Sequence, residues 1–271
     1  MNVRACRFFS AVSLLVLMAA TTLLAGVEAD HTAPVCPLPV RHAGMAFPVD
    51  HIPSSWACRL QPLMTDYTTA NKIGPIRTPL SEEIYLYLLD HPTVATTLVD
   101  RLELGLYKAV MQRPGQFWGS DGEGTEGVVQ LVYEDRASRL YYLEGSHDGT
   151  VLPQVTGKAV VLLWMRPVQG SGGIDSMETT VVSYTRLNNR ILSGFVSLIR
   201  PLLGNLITRQ FMKGFDTADR LSRVMRDNPE RVLFEATDPP ALADAEVAFL
   251  KHVLTDLPPS GGSSDRPPLP R

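Results

Sequence analysis

The stretch that decides the fold is 201-PLLGNLITRQFMKGFDTADRLSRVM-225. Leu203, Ile207, Phe211, Phe215, Ala218, Leu221 and Met225 recur at helical spacing, while Thr208, Arg209, Lys213, Asp216, Arg220 and Arg223 take the other side. A helix with so complete a division between greasy and wet faces has to cover an apolar surface. The apolar run Ile191 to Ile199 leads into it, and Pro201 fits the first turn of a renewed helix, so the pattern predicts one long helix ending near Met225.

What precedes this helix is the surface it covers. From Leu104 onward the hydrophobic period changes from helical to two. Leu106–Met111, Gln116–Gly119, Glu126–Glu134, Arg139–Gly145, Lys158–Arg166 and Ser176–Arg186 read as about six strands, separated by Arg113-Pro114-Gly115, the Gly-rich 119–124, Asp135–Ser138 and Gln169–Gly173. In the third of these, Gly127, Val129, Leu131 and Tyr133 alternate with Glu126, Gln130 and Glu134, as expected of an antiparallel sheet with one solvated face. Ahead of the strands, Ser81 is an N-cap with Glu82 and Glu83 in the first turn, and Ile84, Tyr85, Leu88 and Leu89 form a helical stripe closed by His91-Pro92. A second short helix follows from Thr93 to Leu102.

Two short helices, an antiparallel sheet and a long C-terminal helix across it make an α+β chain. In element order, Leu80 to Asp227 resembles the helix-grip fold of the START-like and polyketide-cyclase-like superfamily. The resemblance implies a curved sheet gripped by the long helix, with an apolar ligand, often a lipid, held between them. It is carried by no diagnostic motif, and the strand such folds place before the helix pair is legible here only if part of Ile73–Thr78 supplies it. The residues expected to line the space are Val129, Leu131, Tyr133, Val161, Leu163, Met165, Val181, Ile207, Phe211 and Phe215. Each is also the kind of residue that fills an ordinary core.

The ends of the chain bear on location. Arg4 and Arg7, the apolar run Phe8–Ala25 and Val27-Glu28-Ala29 read as a signal peptide cleaved after Ala29, which places the chain in a periplasm or outside the cell. Cys6 leaves with that peptide. Cys36 and Cys58 remain as an even pair in an oxidising compartment, where a disulfide is the default. The reading divides the chain into the signal (1–29), a Pro-rich, disulfide-stapled segment (30–79), the grip domain (80–227), a C-terminal extension (228–257) and a Pro/Ser/Gly tail expected to be disordered (258–271). In the extension, Arg231–Glu235 reads as extended and Ala241–Leu254 as a small helix.

A net charge of −3 without a basic run argues against nucleic acid as a partner. No histidine pair or cysteine has metal-ligand spacing, and no cofactor motif is present, so neither a metal nor a cofactor is expected. Nor is there a nucleophile elbow or a phosphate loop. Glu144 is the best single proton-transfer group if Leu140, Tyr142 and Glu144 share the inner face, where desolvation would raise its pKa; Tyr141 and Leu143 compete for that face. His147-Asp148, between Gly145 and Gly149, reads as a solvated turn. Arg200, beside Pro201, reads first as a snorkelling surface arginine, with an anionic head-group anchor at a cavity mouth or a transient membrane-surface contact as the alternative. The sequence therefore leans away from an enzyme, toward an exported protein that carries a lipid or similar apolar molecule. A cyclase or hydrolase using the same space, and an envelope interaction module with a filled core, remain the alternatives. Oligomeric state is not legible.

Overall fold

The computed structural model describes residues 36–42, 44–148, 155–170, 173, 175–188, 196–255 and 257. The signal segment 1–29, the tail 258–271 and the side chain of Arg200 lie outside the described residues.

Seven antiparallel strands form one sheet: β3 (Thr69–Thr78), β4 (Lys108–Arg113), β5 (Gln116–Ser120), β6 (Thr125–Glu134), β7 (Ser138–His147), β8 (Val155–Gln169) and β9 (Asp175–Leu187). The six strands read from the alternation run as a meander from β4 to β9, and β3 adds itself beside β9, giving the order β3-β9-β8-β7-β6-β5-β4. β3 is thus the strand before the helix pair. Its sequence, TANKIGPIRT, hides it: Gly74-Pro75 breaks the alternation and coincides with a register shift between Ile73 and Ile76. An edge strand tolerates this, because the missing proline N–H faces no partner. Gly74 has φ +104°, and a side chain there would lie 2.6 Å from the Thr179 carbonyl oxygen, so only glycine fits.

The helix pair forms as its caps dictate. Ser81 Oγ accepts the Ile84 N–H at 3.3 Å to start α2 (Glu82–Asp90), and Pro92 opens α3 (Pro92–Arg101). The long helix α4 (Val196–Asp227) crosses the sheet, and the architecture is a helix grip. Leu221 and Met225 of α4 pack with Ile84, Val94 and Leu98 of the helix pair and with Met165 and Met177 of the sheet.

Two expectations fail outside the grip. Arg231–Glu235 is not extended but lies inside α5 (Pro229–Thr237): Asn228 Oδ1 caps it by accepting the Arg231 N–H at 3.2 Å, with Pro229 at the first position. α5 and α6 (Asp244–Thr255) bury Val232, Ala236 and Leu250 in the same core as the helix pair. Arg101 of α3 fastens them by donating to the carbonyls of Glu235, Asp238 (2.8 Å) and Pro240 (2.6 Å).

The sheet is also not bare on its outer face. The Pro-rich segment contains the ladder of β1 (Arg41–His42) and β2 (Met45–Ala46) and a twelve-residue helix, α1 (Ser54–Thr65). Phe47, Ile52, Leu60, Leu63 and Met64 from this segment pack on Leu140, Tyr142, Val160, Leu162, Val182 and Tyr184 of β7–β9. That is why Val160, Val161 and Leu162 are all buried in succession: both faces of β8 are covered. Cys36 and Cys58 are disulfide-bonded and tie the start of this cover to α1.

One row of glycines crosses four strands. Gly119 pairs with Gly127, Gly127 with Gly145, and Gly145 with Gly157. A Cβ on Gly127 would stand 2.6 Å from the Glu144 carbonyl oxygen, closer than real contacts allow. The row lets neighbouring strands close up where the sheet curves.

Replacing Gly127 with Ala should therefore lower stability by about 1–3 kcal/mol, an overpacking cost read from the urea midpoint. Gly214→Ala in α4, where nothing lies within 4 Å, should instead raise it by up to about 1 kcal/mol. Converting both Cys36 and Cys58 to Ser should cost about 3 kcal/mol, from the freed loop between positions 22 residues apart.

Candidate functional site

The site is set by how α4 lies. Its first half follows the β3 edge: a Cβ on Gly204 would meet Asn71 Oδ1 at 3.4 Å. Its second half is sealed, with Leu221 3 % and Met225 0 % exposed. Between these, Ile207, Phe211 and Phe215 stay only half-buried. Opposite them the inner face of β5–β7 is half-buried too, at Phe117, Val129, Leu131 and Leu143. Val129, Leu131 and Leu143 thus pack with Phe211 and Phe215 in one apolar cluster, and all five keep partial exposure.

Of the residues read from the sequence, Val129, Leu131, Val161, Leu163, Val181, Phe211 and Phe215 share one apolar cluster. Val161 and Val181 are its buried floor, at 5 % and 0 % exposure. Ile207 sits one turn before Phe211 on α4. Met165 belongs with Met177, Leu221 and Met225 in the sealed part.

Tyr133 must be corrected. β6 shifts register between Leu131 and Tyr133, so Leu131 pairs with Tyr141 but Tyr133 with Leu140. The bulge turns Tyr133 to the outer face, where its ring stacks on His51 at 5.6 Å and its hydroxyl donates to Asp135 at 2.7 Å. Nothing in the alternation of β6 marks the extra residue.

Glu144 is corrected as well. In β7 it is Tyr141 and Leu143 that face inward, beside Val161 and Val129, while Glu144 goes outward with Tyr142. Its carboxylate accepts the Tyr142 hydroxyl at 2.8 Å and pairs with Lys158 at 3.2 Å. The Tyr142 hydrogen bond, aided by Lys158, holds its pKa below the ordinary carboxylate value, so it is no raised-pKa acid. His147 Nδ1 lies 2.9 Å from Thr125 Oγ1 at the strand end. Ile73, Tyr141, Leu143 and Phe117 were missed; the competing register of β7 already contained the first clue to Tyr141 and Leu143.

Polar groups close the ends of the open stretch. Lys213 of α4 pairs with Glu123 in the β5–β6 loop, which raises the lysine's pKa, and Arg220 donates to the Leu104 carbonyl at 2.7 Å. On the side of the helix pair, Tyr85 and Thr179 share a 2.9 Å hydroxyl bond, and buried Arg139 pairs with Asp90 at 2.5 Å. Among the described residues no group of three or more His, Cys, Asp or Glu side chains is placed to hold a metal.

No family model matches the chain, and no curated protein matches it. Among solved structures, a conserved protein from Geobacillus kaustophilus is similar at 8 % identity and a TM-score of 0.38, over 57 % of this chain and 95 % of the other. Norcoclaurine synthase from Thalictrum flavum, in complex with dopamine and hydroxybenzaldehyde, is similar at 17 % identity and 0.36, over 56 % and 86 %. Ara h 8.0201 is similar at 11 % identity and 0.30, over 57 % and 98 %. These are distant likenesses to part of the chain. The helix-grip assignment rests on strand order and on the course of α4.

The unequal sealing of α4 has a measurable consequence. Leu221→Ala should cost about 2–5 kcal/mol, as in a closed core, with the loss read by chemical denaturation. Phe215→Ala should cost less than half as much, since that ring already meets solvent. Equal losses would mean that the space beside Phe215 is filled.

Proposed function

We propose that this protein is exported and carries an apolar, lipid-like small molecule between β5–β7 and α4. The observation that carries the reading is the pair of half-buried apolar surfaces, Phe117, Val129, Leu131 and Leu143 against Ile207, Phe211 and Phe215. Burying them fully would yield about 25 cal/mol per Å² of apolar surface, so leaving them open needs a reason, and an apolar ligand that completes the contact supplies one. Export is supported by the charge and hydropathy of residues 1–29 and by the Cys36–Cys58 disulfide, a bond characteristic of oxidising compartments. In this reading the chain is a divergent relative of the START-like carriers.

The test is native mass spectrometry of the secreted chain, followed by solvent extraction. The expected result is a mature N-terminus at Asp30 and a copurifying apolar molecule. That molecule should be lost from Leu131→Trp, whose larger ring would occupy the space. A protein that is ligand-free and fails to take up an added fluorescent fatty-acid probe would overturn the carrier reading.

A further inference from the structure

The outer face of the sheet holds a second site. The N-terminal cover stops at Trp56 and Arg59 of α1, and beyond it the outer face of β5–β8 opens into two hollows of about 220 and 420 Å³. They share Val128 and Glu144, so they form one groove. Its first part is lined by Arg59, Arg113 and Gln116 beside Trp56 and Tyr142. Its second is lined by Trp118, Glu126, Ser146, Thr156 and Asn188.

Some of the groove's polar groups are engaged: Glu144 with Tyr142 and Lys158, and Gln130 with the Gly115 and Leu131 carbonyls. In the groove, among the described residues, the side chains of Arg59, Arg113, Gln116, Trp118, Glu126, Ser146, Thr156 and Asn188 make no hydrogen bond or ion pair. Arg59 is nonetheless held in place: its guanidinium lies 4.3 Å from the Trp56 ring centre and 4.9 Å from that of Tyr142. Such a guanidinium presents its N–H fork without further ordering, the arrangement that suits a carboxylate. The carboxylate in the same hollow, Glu144, is paired with Lys158 and lies within the electrostatic reach of Arg59.

We infer that this groove binds an acidic saccharide. The two guanidiniums take the carboxylate. The Trp118 indole offers a plane for the C–H face of a sugar ring, and Gln116, Ser146, Thr156 and Asn188 supply donors and acceptors for hydroxyls. Glu126 at the far end disfavours a ligand charged along its whole length, such as a nucleic acid. The site is separate from the space under α4, which lies on the opposite face of the sheet.

The test is calorimetric titration of the full mature chain with tetragalacturonate, with its methyl ester and with sodium acetate. Tetragalacturonate should bind at least tenfold more tightly than the ester, and acetate should not saturate in the same range. Arg113→Gln and Arg59→Lys should each erase that preference while leaving the melting temperature within a degree or two. Trp118→Ala should weaken acid and ester alike, and Arg231→Gln on distant α5 should change nothing. Absence of tetragalacturonate binding would overturn the inference. So would acetate binding as tightly as the saccharide, or an unchanged preference in Arg113→Gln. None of these outcomes bears on the apolar ligand, which is read by extraction.

Discussion

The structure depends on the packing of α4, tight toward its C-terminal end at Leu221 and Met225 and looser over its middle from Ile207 to Phe215. Where Leu221 and Met225 meet Ile84, Leu98, Met165 and Met177, the contact is a closed core. Truncating such a contact to Ala costs about 2–5 kcal/mol, so this end fixes the helix. The fixed end also sets the direction in which the helix leaves. Its middle then packs on the inner face of β6 and β7 through Phe211 and Phe215, and these residues with Val129, Leu131 and Leu143 keep partial exposure.

That openness has a cost, and the chain offsets it on the other side of the sheet. A sheet with one face incompletely covered forgoes apolar burial that a domain of this size would ordinarily use. Here Phe47, Ile52, Leu60, Leu63 and Met64 build a second core on β7–β9, and the Cys36–Cys58 bond holds that cover together. The additions at the two ends of the chain thus have a common role. The N-terminal cover stiffens the sheet from outside, while α5 and α6, pinned by Arg101, complete the core under the helix pair. Between them they leave the inner face of β5–β7 to the middle of α4 alone.

How much of this was legible follows from what each signal measures. Periodicity found β4 to β9, the helix pair and α4, because each long element repeats its pattern several times. It missed β3, where Gly74-Pro75 satisfies an edge position and a close backbone approach but ruins the alternation. It missed α1 because a proline-rich segment was read as extended, although Pro53 precedes the helix and only Pro62 lies inside it. Shared faces were legible to the extent that register was: Val129, Leu131, Val161, Leu163, Val181, Phe211 and Phe215 fall in one apolar cluster, whereas a single bulge in β6 sent Tyr133 to the other face. Glu144 failed for a related reason. Strand β7 is apolar on both sides, so hydrophobicity could not say which parity pointed inward.

The same two-sidedness explains why the sheet can serve two surfaces. In β6 and β7 the inward set, Val129, Leu131, Tyr141 and Leu143, is apolar, whereas the outward set beyond α1, Glu126, Gln130, Glu144 and Ser146, is polar apart from Val128. A period of two assigns these sets independently, so changes on one face leave the other's chemistry intact. The coupling that remains is mechanical. It runs through the Gly119–Gly127–Gly145–Gly157 row, whose backbone crowding lies between the open apolar stretch and the end of the outer groove. A side chain introduced at Gly127 or Gly145, 2.6 and 2.4 Å from the facing carbonyl oxygens, would push neighbouring strands apart and disturb both surfaces at once, which makes the centre of this row, rather than any lining residue, the point on which the geometry of both faces turns.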